Sequence, residues 1–126
     1  MNEATVNSAM QIILHAGDAR LACMQALDAI AVADLEKAKE KLKEAQVKIT
    51  EAHRIQTDVI QEEMRIAMDE ECEDKPSEYS LLFAHAQDTL MTIYSEINIA
   101  KHLMKIYTAY EKRIAALEEK IEGFQQ

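Results

Sequence analysis

The chain has 126 residues and a formal net charge of −9, with 48% hydrophobic, 29% charged and only 5% aromatic residues. That length suits one domain with a single core, and the acidic balance excludes nucleic acid and anionic membrane surfaces as partners. Two glycines and one proline leave little for turns or sheets, and the apolar share is rich in Ala, Leu, Ile and Met, so the fold class is all-α.

The first predicted helix runs from about 3 to 32, with Val6, Met10, Ile13, Leu14, Leu21, Met24, Leu27 and Ile30 recurring at helical spacing. Gly17 and Asp18 interrupt it without ending it. Cys23, among apolar neighbours, reads as buried packing. The second helix runs from about 34 to 70, with Asp34 as its cap and Leu35, Leu42, Val47, Ile49, Ile60, Met64 and Met68 as its apolar positions. Its charged opening, Glu36 to Lys41, supplies i,i+4 pairs on a solvated face. Cys72 comes next, in the run Asp69-Glu70-Glu71-Cys72-Glu73-Asp74, where carboxylates dull a thiol. The two cysteines match no metal spacing and fit a reduced compartment.

Pro76 marks the one clear break, and Ser77 can cap the next helix. This third helix runs from about 78 to 121, on the order of 65 Å. Three such helices with short links form an antiparallel three-helix bundle with a long third helix. No run approaches the roughly 18 apolar residues of a membrane span, and Met1-Asn2-Glu3 carries no secretory signal. The expectation is a cytoplasmic protein with no direct membrane insertion, occupying residues 1–126 as a single domain.

The third helix has two apolar stripes. Phe83, Ala86, Leu90, Ile93, Ile97, Ala100, Met104 and Tyr107 recur at steps of three and four and can face the other two helices. Leu81, Ala84, Asp88, Met91, Ser95, Ile99, His102 and Ile106 recur at the same steps roughly 170° away. A monomeric bundle has no use for the second stripe, so it predicts association between copies. Asp88 is costly in such a stripe unless it is protonated, paired with a cation, or shared around a metal ion by symmetric copies.

His85 lies between the stripes, beside a groove where copies could meet. Spacing leaves two readings open, a satisfied structural histidine and a nucleophilic imidazole reachable by partners. His15, His53 and His102 form no metal set and read as surface or polar packing. Asp18 and Arg20 read as a pair that caps or bridges helices. The methionines read as core filler. Tyr107 and Tyr110 flank the bundle end.

The segment Leu81-Leu82-Phe83-Ala84-His85-Ala86-Gln87-Asp88-Thr89-Leu90-Met91-Thr92 resembles the active-site signature of the lactose/cellobiose enzyme IIA family of the sugar phosphotransferase system, which includes the diacetylchitobiose carriers. There the pattern is an apolar run and then His-Ala-Gln-Asp-His-Leu-Met. His15-Ala16-Gly17-Asp18-Ala19-Arg20 and Glu51-Ala52-His53-Arg54-Ile55-Gln56-Thr57 also fit, in order, and the likeness extends from about Ile12 to Tyr107. Thr89 departs from it, replacing the family's second histidine. Leu21 and Gln25 stand where the family has Ser and Glu.

The resemblance implies a phosphotransferase component, a phosphoryl carrier for uptake of a β-linked disaccharide. His85 would accept phosphate from phospho-HPr and pass it to the cysteine of a cognate enzyme IIB, with the membrane component, enzyme IIC, served indirectly. Leu81, Leu82 and Phe83 would wall the docking groove. Gln87 would help position the phosphoryl group. Asp88 would gather at the axis of a homotrimer around a structural Mg²⁺. Two other classes compete, a non-catalytic helical interaction module and a two-component histidine phosphotransfer domain, the latter a monomeric four-helix bundle.

Overall fold

In the computed structural model, which describes residues 3–69 and 80–125, three helices succeed one another: α1 (Glu3–Ala31), α2 (Leu35–Met68) and α3 (Leu81–Gln125). They pack as an antiparallel bundle with no strand among the described residues. The turn expected at Glu73–Ser77, and Cys72, Pro76 and Ser77 with it, lie outside the described residues.

α1 is the shared partner, packing most extensively on α2, then on α3, while α2 and α3 touch least. Its sequence explains this. The buried face of α1 is Ala9, Ile12, Ala16, Ala19, Ala22, Cys23, Ala26 and Ala29, a run of small residues that lets both neighbours come close. The larger apolar residues expected there as core lie elsewhere: Met10, Leu14, Leu21 and Met24 are exposed on the outer side. Periodicity favours bulky residues when it assigns a face, and here the alanine stripe beside them is the one that packs. Gly17 needs no special conformation, and a side chain there would meet nothing.

A tight turn joins α1 to α2. Asp34 N–H donates to Ala29 O at 2.9 Å and Ala33 N–H to Ile30 O at 3.0 Å, the crossed pair that ends many helices. Ala33 holds a left-handed φ of 62° to make it. Asp34 then caps α2 as expected, its Oδ1 accepting from Lys37 N–H at 3.2 Å. α2 buries Ala38, Leu42, Ala45, Ile49, Ala52, Ile55 and Gln56. Its outer face carries ion pairs one turn apart, Lys41–Glu44, Arg54–Glu51, Arg54–Asp58 and Arg65–Glu62.

α3 opens on Ser80, whose Oγ accepts from Phe83 N–H at 3.0 Å while its carbonyl takes Ala84 N–H. It buries Phe83, Ala86, Leu90, Ile93, Ile97, Ala100 and Met104, the first of the two stripes read from its sequence. The helix continues past the buried stretch to Gln125.

The methionines divide. Among the described methionines Met104 alone lies in the core, whereas Met10, Met24, Met64, Met68 and Met91 are exposed, contrary to their reading as filler. Among the described residues, no helix is long and apolar enough to cross a membrane.

Candidate functional site

His85 sits in the second turn of α3, close to the capped N-terminus, where the helix dipole favours negative charge. The buried stripe seats the helix, and that seating turns His85 outward. The ring is exposed and makes no hydrogen bond with any described residue of its own chain. Both nitrogens are therefore open, one for attack and one for an acceptor from elsewhere.

Two neighbouring hydroxyls are tied to the helix backbone. Thr89, one turn on, donates its hydroxyl to His85 O at 2.9 Å. Thr92 does the same to Asp88 O at 2.8 Å. The Thr89 hydroxyl is thus committed to the backbone and leaves the imidazole alone. Leu81 is exposed and Leu82 half-buried, as suits a groove wall, but Phe83 is buried in the core and takes no part in a surface.

Asp88 lies about 60° around the helix from His85, three residues on. It is exposed in the single chain, on the same outward side as Leu81, Met91, Ser95, Ile99, His102 and Ile106, and its carboxylate has no partner among the described residues. Gln87 is half-buried and two residues from His85, about 200° around the helix. Residues so spaced do not face each other on one helix, so Gln87 points away from its own chain's His85. The structure therefore brings His85 and Asp88 to one side and sends Gln87 to the other.

Arg20 does bridge helices, as read from the sequence, and its partner there is Glu96 rather than Asp18. Arg20 Nη2 donates to Glu96 Oε1 at 2.8 Å and Nε to Oε2 at 3.1 Å, tying α1 to α3. A separation of 76 residues leaves no local signal for this pairing. His15 is half-buried with a shielded, unpartnered Nδ1, near Glu51 of α2. His53 is exposed, its ring centroid 6.5 Å from that of Tyr94. Among the described residues of one chain, no three His, Cys, Asp or Glu side chains come together as metal ligands. Asp88 supplies one hard oxygen ligand group per chain, so a divalent cation fits there only if copies contribute together.

Three helices in an antiparallel bundle, with one open imidazole near a helix N-terminus, are the features of a helical phosphoryl carrier, and comparison with known proteins gives the family. Residues 7–108 match the lactose/cellobiose-specific IIA subunits of the PTS system. The lichenan-specific phosphotransferase enzyme IIA component of Bacillus subtilis is 35% identical over 107 residues, 85% of this chain and 90% of that protein. The lactose-specific EIIA component of Lacticaseibacillus casei is 35% identical over 109 residues, 86% of this chain and 87% of its own. The crystal structure of the cellobiose-specific enzyme IIA of Bacillus anthracis superimposes with a TM-score of 0.75 at 32% identity, covering 89% of this chain and 94% of that one. The Escherichia coli chitobiose IIA, solved in complex with HPr, shares the fold at a TM-score of 0.66 and 24% identity, over 88% of this chain and 99% of its own.

The chain belongs to the lactose/cellobiose-specific IIA family of the phosphotransferase system, and is a phosphotransferase component. The three helices of its described residues are not the four-helix bundle of a two-component phosphotransfer domain.

Proposed function

We propose that residues 1–126 act as a single enzyme IIA domain that carries a phosphoryl group on His85 between phospho-HPr and a cognate enzyme IIB, in the cytoplasm, for uptake of a β-linked disaccharide. The observation that supports this most is the placement of His85: exposed, without a partner among the described residues, and turned outward by a helix whose other face is locked in the core. A carrier must be reached by two different proteins, so an open nucleophile serves better than an enclosed one.

The chemistry asks for positioning and charge stabilisation. One nitrogen of neutral His85 attacks phosphorus; the new P–N bond forms as the bond to the donor breaks. In the second transfer the enzyme IIB thiolate attacks, a P–S bond forms, and His85 leaves as the neutral imidazole. The α3 N-terminus favours the phosphoryl charge.

The reading extends to a homotrimer built on the outward stripe of α3. In a cyclic assembly one flank of a helix meets the opposite flank of the next. With Asp88 toward the axis, His85 lies on one flank and Gln87 on the other. Gln87 would then meet His85 of the partner subunit and help position its phosphoryl group there. Three Asp88 carboxylates would hold a structural divalent cation such as Mg²⁺, which when bound offsets their repulsion.

Intact mass after incubation with enzyme I, HPr and phosphoenolpyruvate tests the transfer. Wild type should gain one acid-labile phosphate that His85→Ala lacks. An unmodified wild type beside phosphorylated HPr would overturn the donor assignment.

A further inference from the structure

α3 continues where the bundle stops. Its last buried residue is Met104, Tyr107 and Thr108 are half-buried, and every residue from Ala109 to Gln125 is exposed. The family match also ends at residue 108. The helix thus projects on the order of 25 Å beyond the part shared with the family.

This projection has a seam. Tyr110, Ile114, Leu117, Ile121 and Phe124 fall at steps of four, three, four and three, and each is more than half exposed. A lone helix of this length that buries nothing is marginal in water, and large apolar residues on one line are a partner surface. The line does not begin at Tyr110. Asp88, Met91, Ser95, Ile99, Leu103 and Ile106 precede it on the same side, with a spacing that averages about 3.6 residues per step from Asp88 to Phe124. The seam therefore stays on one face of a straight helix.

The charges beside the seam say what covers it. With Ile114 and Ile121 at one core position of a seven-residue repeat and Leu117 and Phe124 at the other, Arg113 and Lys120 border one side and Glu111 and Glu118 the other. Parallel helices set opposite borders against each other, so Arg113 meets Glu118 of the partner subunit. Antiparallel helices would set like borders together, Arg113 against lysine and arginine. The pattern is self-complementary in one orientation only. Charges within the segment also nearly balance, in a chain whose net charge is −9, so copies can meet here without strong repulsion.

We propose that residues 109–125 join the same segment of neighbouring copies in a parallel coiled coil that extends the α3 interface beyond the bundle. The proposal rests on the reading that α3 faces its own copies, and is independent of phosphoryl transfer. Isoleucine and leucine in this order favour two strands in an isolated zipper, so the number of copies is set upstream at Asp88.

Sedimentation of the full chain across a dilution series tests it, using Arg113→Glu, Glu118→Arg and the double variant. Each single change should raise the concentration of half-dissociation roughly tenfold, because every copy contributes one pair. The double variant should return it to within about twofold of wild type, with helical circular dichroism unchanged throughout. Single variants that dissociate like wild type would overturn the coiled coil and leave the trimer standing. Single variants that associate more tightly would mean antiparallel pairing and overturn it too. A wild-type dimer with the same rescue would support the parallel tail and overturn only the three-fold reading. A wild type that is monomeric at every concentration would overturn both.

Discussion

Arg20 and Glu96 form a two-pronged ion pair between α1 and α3, with both guanidinium bonds at 3.1 Å or shorter. The carboxylate beside it raises the Arg20 pKa above its ordinary value, chiefly through the hydrogen bond. The side chains remain 45% and 33% exposed, so water screens much of the attraction. Arg20→Ala or Glu96→Gln should each cost about 0.5–1 kcal/mol, and the double variant little more than either single one. Thermal unfolding of the four proteins measures this, and strictly additive losses would show that the two residues act separately.

Ala33 presents the opposite opportunity. A left-handed backbone at a residue with a Cβ is strained, and glycine adopts it freely. Ala33→Gly should stabilise the fold by about 0.5–1 kcal/mol, with the midpoint of urea denaturation moving up and its slope unchanged. A lower midpoint would mean that the turn owes its shape to something other than backbone preference.

Cys23 is buried, and burial first, then the nearby Glu96 charge, raises its thiol pKa above the ordinary value. A raised folded pKa means that this contribution to stability is complete below the unfolded thiol's pKa, about 8.5, and disappears as pH climbs through the folded value. On a Cys72→Ser background, the folded chain should resist iodoacetamide at neutral pH while the urea-unfolded chain reacts. Glu96→Gln should bring the thiolate absorbance transition down toward the ordinary range. Unchanged titration in that variant would leave burial as the whole cause.

In the proposed trimer, Asp88 would couple assembly to a bound cation. If three carboxylates meet at one axis, chelation with EDTA should raise the concentration at which wild type dissociates by roughly tenfold, because the repulsion then goes unopposed. Asp88→Asn removes the charge and should make assembly indifferent to chelator. Equal sensitivity of both proteins would place any bound cation elsewhere.

Much of this molecule is legible in its sequence, and the exceptions have a common origin. The buried stripe of α3 can be read residue by residue, because large apolar groups and small ones alternate there at unbroken helical spacing. So can the Asp34 cap. The face of α1 misleads, because its conspicuous residues Met10, Leu14, Leu21 and Met24 point outward while alanines do the packing. Alanine is too common in helices to announce burial. The start of α3 holds a smaller ambiguity of the same kind: Ser80 caps the first described turn, and by residue type Ser77 is equally suited. His85 and Asp88 stand out as anomalies among apolar neighbours, but the direction of Gln87 emerges only once the helix is known to run unbroken through all three. The Arg20–Glu96 pair depends on the bundle's registry, which one sequence does not encode locally.

The alanine face of α1 has a consequence for how such a protein can diversify. Where helices touch through methyl groups, any larger side chain forces them apart, so inherited change at Ala9, Ala16, Ala19, Ala22, Ala26 and Ala29 is confined to exchanges among the smallest residues. The outer surfaces of the same helices carry no such restriction. A lineage can therefore rewrite the faces that meet sugar-specific partners while its scaffold keeps a fixed gauge, and specificity can drift while the fold stays put.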